Sequence, residues 1–441
     1  MTRTVLEGRF FTRIALFAVI CAAGAAGCGG DDGRGPADDA WAYTQRDVVG
    51  PNGQGTTDSI RADVYVDATT SMVGYLAGGA SRYTRFFREL ESSLASGWAY
   101  SNLGYFKFGS RVRSISRNTF RDADRRAFYR ESGVSQTTRI DSVLEQMNRS
   151  KISIITTDLF QNESDVTALV SRVKTEVFQQ GLSAAVLGVR SEFDGRVFDA
   201  RVPAYDYAST RGEKDTYRPF YALMFGKVAE LRRLFQTLQS SPAVSRDYFV
   251  LISPYLVEDY RASVRKTRES RKLNATAVQE DDSRFAFDLQ SGGTGGTLRA
   301  NIVLDRAPNT PRIEANRVEM TAYRKKLSRR PGEGDTTSTR TRDLTLEALR
   351  SSEDTLRATL RMNLEDDPSG TYSYKTVFRP GATDGLGVPT WVERFSSKSP
   401  SPQNGPNKTL NLEKFISDLI QASNSVRRPK LAKLYITVRK L

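Results

Sequence analysis

Between Ile60 and Ser253, short apolar runs of strand character alternate with segments whose apolar residues recur every three or four positions. A chain with that rhythm can bury both kinds of surface only by laying helices on a sheet, so this region reads as α/β. The run Arg61 to Asp67 is the first strand, and Tyr83, Phe86, Phe87, Leu90 and Leu94 then stripe an amphipathic helix. "LGYFKFG" is a strand, "RIDSVLEQM" a short helix and "KISIITTD" a strand, followed by a helix striped by Val166, Leu169, Val170, Val173 and Val177. "LSAAVLGV", "RPFYALMFG" with a helix from Lys227 to Leu238, and "DYFVLIS" complete a sheet with helices on both faces, expected over residues 59–255.

Beyond residue 256 the period changes. "TLRANIVLD" and "TLRATLRMNLE" alternate apolar and polar residues between Gly/Pro turns, which predicts a mostly antiparallel, β-rich domain with one wetted face over 256–441. Within it "LNLEKFISDLIQ" is a lone helix and "LYITVRKL" a last strand. At 441 residues the chain has room for both domains.

The N-terminus has another character. Three arginines precede the uncharged run Ile14 to Gly27, and an acid-rich stretch comes after it, which is the layout of a bacterial export signal too short to span a bilayer. The junction "AAGC" resembles the lipobox of bacterial lipoproteins, although Ala25 stands where leucine is usual. That resemblance implies removal of residues 1–27 and lipidation of Cys28, with residues 28–58, rich in Gly, Asp and Pro, as a flexible tether. The expected location is the bacterial cell envelope, with the membrane as one partner through the lipid.

Only Cys21, within the leader, accompanies Cys28, so no disulfide is expected in the mature chain. Histidine is absent, which removes His-based triads, imidazole zinc ligands and the commonest general base. The formal charge of +14 becomes +12 without the leader, and its excess is broad along the sequence rather than clustered. A basic surface could face anionic head groups or acidic envelope polymers, or simply be solvated. No interleaved basic and aromatic motif points to nucleic acid, and none is expected as a partner.

The stretch "VYVDATTSMVGY" carries the candidate site. Asp67 ends the first strand and is followed by the hydroxyls of Thr69, Thr70 and Ser71. Thr138 opens "TRIDSVLEQM" and Asp158 closes "KISIITTD". This pattern resembles the metal-ion-dependent adhesion site of von Willebrand factor type A domains, which has an Asp-x-Ser-x-Ser turn, a later Thr and a further strand-closing Asp. The resemblance covers roughly residues 60–255. It implies a vWA-like, Rossmann-like sheet and assigns Asp67, Thr69, Ser71, Thr138 and Asp158 as ligands of Mg2+ or another divalent cation. Met72 also fits; Thr69 replaces serine, Leu159 stands where glycine is common, and Thr137 is an alternative to Thr138.

Two acids and three hydroxyls suit magnesium, which favours octahedral oxygen and few carboxylates. Such a site implies adhesion rather than catalysis: cation-dependent binding of a protein or envelope component, with no enzyme activity. The alternatives are a metal-free structural or interaction lipoprotein and an Asp-dependent hydrolase. A phosphatase of the aspartate-nucleophile type would want a second Asp at position 69, no P-loop occurs, and "FGKVAEL" reads as a strand-to-helix turn. The tyrosines of "YDYASTRGEKDTYRPFY" form either an aromatic contact surface or a loop folded onto the sheet edge.

Overall fold

A computed structural model of the chain describes residues 58–441 apart from 160–162, 199–202, 243, 277–283, 307–308, 328–337, 353–354, 383–384, 400 and 402–404. The expected leader, Cys28 and the expected tether, as far as residue 57, lie outside the described residues. The molecule is mixed α/β, with a large mixed sheet followed by mostly antiparallel strands.

The first sheet has seven strands: β1 (Ser59–Asp67), β2 (Tyr100–Phe108), β3 (Val112–Ile115), β4 (Ile152–Thr157), β5 (Ser183–Ser191), β6 (Arg218–Gly226) and β7 (Phe249–Ile252). Their spatial order is β3-β2-β1-β4-β6-β5-β7. β1 lies at the centre of the parallel part, flanked by β2 and β4, so Asp67 emerges at the shared carboxyl end. The rest is not parallel: β6 runs antiparallel to β4 and β5, and β7 antiparallel to β5. The described part of the β5–β6 connection holds a hairpin, Asp194–Val197 with Tyr205–Ala208, and no α-helix. Without a helical crossover the chain returns antiparallel.

Each face of this sheet has its own apolar cover. On one, helix α1 (Arg82–Ser96) buries Tyr83, Phe86, Phe87, Leu90 and Leu94. Its first turn is capped by Ser81 Oγ, which accepts from the Thr84 amide. Phe220 of β6 meets the rings of Tyr83 and Phe86 edge-on, and helix α4 (Val228–Leu238) completes this core.

The opposite face presents Tyr65, Ile155, Val186, Tyr221 and Leu223 to α2 (Ile140–Gln146) and α3 (Glu163–Glu176), and also to two helices from far along the chain. These are α5 (Thr390–Phe395), through Trp391, Val392 and Phe395, and α6 (Leu412–Val426), through Leu412, Phe415, Ile416, Leu419 and Ile420. Tyr221 Oη donates to Thr409 Oγ1 at 2.8 Å, tying β6 to the strand pair just before α6. The helix at "LNLEKFISDLIQ" therefore forms, and it packs on the first sheet.

Apart from two short strand pairs, the remaining strands form two facing sheets around a third core. One has four antiparallel strands, β8 (Val257–Lys266), β11 (Gly295–Arg306), β15 (Thr355–Asn363) and β14 (Leu344–Ser352), in the order β8-β11-β15-β14. The other has six strands: β9 (Leu273–Thr276), β10 (Arg284–Leu289), β12 (Val318–Leu327), β13 (Thr339–Thr341), β16 (Gly370–Pro380) and β17 (Ala432–Lys440). All its pairs are antiparallel except β10 with β17. Leu298, Ala300, Ile302 and Leu304 face inward while Arg299, Asn301, Val303 and Asp305 face out, which is the expected half-wetted pattern.

Helices α5 and α6 bury eight large apolar side chains against the first sheet, at about 1.5–3 kcal/mol each. Their total rivals the net stability of a whole domain, about 5–15 kcal/mol. A fragment ending at Ser253 should therefore bind a hydrophobic dye and lack a cooperative melt. In the full chain, Phe415→Ala should cost about 3–5 kcal/mol in urea unfolding. A fragment that melts cooperatively would show that the sheet stands without this cover.

Candidate metal centre

β1 ends on an acid because the turn after it is built on its carboxylate. Asp67 Oδ1 accepts from the Thr69 amide at 3.0 Å and from Thr69 Oγ1 at 2.6 Å, a local side-chain-to-backbone turn of the kind that Asp supports. The backbone then enters a 3-10 segment, Thr70–Gly79, with the Met72 amide donating to the Thr69 carbonyl and the Met72 side chain fully buried.

Thr138 arrives from the loop before α2. Glu131 anchors that loop through Lys107 and Arg113, and Val134 lies so close to Gly109 that a Cβ there would overlap its carbonyl. The Ser110 amide donates to the Val134 carbonyl at 2.8 Å, and the Arg139 amide to the Gly109 carbonyl at 3.2 Å. Thr138 Oγ1 consequently sits 3.3 Å from Asp67 Oδ2 and 3.2 Å from Thr69 Oγ1. Thr137 is exposed and Thr138 half-buried. Ser71 Oγ lies 3.1 Å from Thr69 Oγ1, so Thr69, Ser71 and Thr138 form one hydroxyl cluster over the Asp67 carboxylate.

β4 and the residue after it contribute two more groups. Thr157, which no sequence motif singles out, donates from Oγ1 to Asp67 Oδ2 at 2.8 Å. The parallel register pairs Val66 with Thr156, placing Thr157 beside Asp67, and a sequence alone does not give that register. Asp158 is buried next to it, near enough for its charge to act on Asp67. Leu159 has φ of 54°, in the left-handed region, and its amide donates to Thr157 Oγ1 at 3.2 Å. That backbone is what a glycine adopts at no steric cost; here a leucine adopts it and is held by burial.

Asp67 is wholly buried. Burial first, then repulsion from Asp158, pushes its pKa up to about 7, against the pull of hydrogen bonds from Thr69 and Thr157. Beneath lie three buried tyrosines: Tyr75 Oη donates to the Pro219 carbonyl at 2.6 Å, and Tyr129 Oη, which donates to the Ala123 carbonyl, lies 3.0 Å from Tyr83 Oη. Burial raises all three phenols, and the Asp67 charge adds to the shift, so they stay neutral.

The tyrosines of the 205–221 loop turn inward: Tyr205 and Tyr207 pack against the first core, and Tyr217 and Tyr221 are buried. Among the described residues no three His, Cys, Asp or Glu side chains gather as a metal cluster. A site of two acids and three hydroxyls does not depend on such a cluster.

The chain matches no family model, no curated protein and no solved structure.

The folded chain holds the Asp67 proton up to about pH 7, whereas the unfolded chain releases it near pH 4. Between those values the folded state binds more protons, so this group's contribution to stability falls as pH rises. Urea unfolding of parent and Asp67→Asn in chelator should show the variant gaining on the parent by up to about 1.4 kcal/mol per pH unit between roughly pH 4.5 and 6.5. A flat difference would mean that Asp67 is ionised as readily as in water.

Proposed function

We propose that this chain is a vWA-like, lipid-anchored envelope protein that binds a protein or envelope component through a divalent cation held by Asp67, Thr69, Ser71, Thr138 and Asp158. The observation that carries the reading is the spacing of the hydroxyls. Neighbouring corners of an octahedron of magnesium–oxygen bonds of about 2.1 Å lie about 3.0 Å apart. Thr69 Oγ1 lies 3.1 Å from Ser71 Oγ and 3.2 Å from Thr138 Oγ1, so the three oxygens suit adjacent positions around one ion.

The chemistry of the set agrees. Thr69 directs its proton to Asp67 and keeps lone pairs for a cation. Asp67 and Asp158 supply negative charge in a place where burial and mutual repulsion make it costly, and a cation would offset that cost. When bound, the ion would offer an electrophilic position to a partner's carboxylate. The vWA-like reading draws further support from β1 between parallel β2 and β4, with the short antiparallel β3 at the edge, whereas the antiparallel β6 departs from a purely parallel sheet.

The metal-free alternative has one observation in its favour: the Asp67 oxygens already receive Thr69, Thr138 and Thr157 as donors. The hydrolase alternative fits less well, since a fully buried, four-fold hydrogen-bonded carboxylate is a poor nucleophile.

Thermal melts separate the readings. Magnesium or manganese at a hundredfold excess over Kd should stabilise the parent by about 2.7 kcal/mol over chelator. Asp67→Ala and Thr138→Val should stay folded and lose that increment. A parent indifferent to millimolar cation would leave the metal-free module.

A further inference from the structure

The outer face of the four-stranded sheet is rich in arginine. Alternation in β8, β11, β15 and β14 turns Arg261, Arg265, Arg299, Arg357, Arg361 and Arg350 outward, all exposed. The register sets two pairs of like charge directly opposite: Arg265 faces Arg299 across β8/β11, and Arg350 faces Arg357 across β14/β15. Like charges at such positions weaken a sheet. Among the described residues, no hydrogen bond or ion pair engages Arg261, Arg265, Arg350 or Arg357; Arg361 pairs with Glu347 at 3.3 Å, and Arg299 feels Glu269.

The acids on this face are few: Asp259 opposes Asp305 at one end, and Glu347 pairs with Arg361 at the other. At the other end Arg361 leads into a cleft of about 560 Å3 whose rim adds Arg271 and Lys272 alongside Glu269 and Glu365. Next to the Asp259–Asp305 pair stands Val303, one of the few exposed large apolar residues, opposite Arg261.

We propose that this face docks onto a bilayer containing anionic phospholipid. Its repelling arginine pairs call for a dense, planar array of anions, and guanidinium groups match phosphate in charge and geometry. The face is an open sheet surface whose outward residues include no aromatic side chain, so it lacks the stacking platform of single-stranded nucleic acid readers. Among the described residues, no helix or ribbon projects from it to enter a duplex groove. A lipid on Cys28, with about 30 residues of tether, would hold the sheet within a few tens of ångströms of such a surface. The proposal does not depend on the cation site, and measurement in chelator keeps the two apart.

The test uses the chain without residues 1–28, which removes none of the described residues, and vesicles of phosphatidylcholine with or without about one-third phosphatidylglycerol. Partition into anionic vesicles should exceed that into neutral ones and fall with added salt. Each surface arginine contributes roughly fivefold, so Arg265→Gln with Arg299→Gln, and separately Arg350→Gln with Arg357→Gln, should each lower partition by roughly 25-fold. Neither pair should lower the melting temperature, because each removes a cross-strand repulsion. Asp259→Asn with Asp305→Asn should strengthen binding. Equal partition into neutral and anionic vesicles, arginine variants that bind like the parent, or tighter binding to a DNA duplex at the same ionic strength would each overturn the proposal.

Discussion

The site depends on one buried carboxylate. Asp67 ends the central strand of the parallel part of the first sheet, and its oxygens organise the turn after β1, the loop before α2 and the end of β4. Three separate segments therefore meet because each supplies a donor to the same group. A buried acid is costly without such partners, and an unpaired one would destabilise the fold by more than any single hydrogen bond returns. The hydrogen bonds reduce the cost but leave Asp67 protonated up to about pH 7, in part because Asp158 repels its charge. A divalent cation would remove both penalties, and this is the physical reason for reading the cluster as a metal centre.

Much of the fold was legible from periodicity, since strong patterns identify elements well. The aromatic stripe of α1, the strands ending at Asp67 and Thr157, and the alternating strands β11 and β15 all form where their apolar spacing puts them. Pairing was not legible. "RPFYALMFG" is buried throughout and would read the same in either direction; it is antiparallel because the path from β5 provides a hairpin instead of a helix among its described residues. The placement of α6 was also hidden, because an amphipathic helix shows which face it buries and not what covers that face.

The grouping of the candidate residues was more legible than its surroundings. Asp67, Thr69, Ser71 and Thr138 meet through side-chain oxygens, and Asp158 stands near enough to act on Asp67. Thr157 was missed for want of register, and the consequence of Leu159 became visible only in its positive φ. The arginine face shows the same limit. The charge reads as broad along the sequence because each arginine is separated from the next by a stretch that alternates buried apolar with outward residues, as in "TLRANIVLDR" and "TLRATLRMN". That same alternation, once four strands are aligned, gathers six arginines on one surface.

The most direct measurement is an anomalous difference map from a crystal of this protein grown with manganese. The proposed centre predicts a single strong peak bonded to Ser71 Oγ, with Thr69 Oγ1 and Thr138 Oγ1 beside it and the Asp67 and Asp158 carboxylates in direct or one-water contact, at metal–oxygen distances of about 2.1–2.2 Å. A map with no peak there at millimolar manganese, and Asp67 held only by its threonine donors, would contradict it.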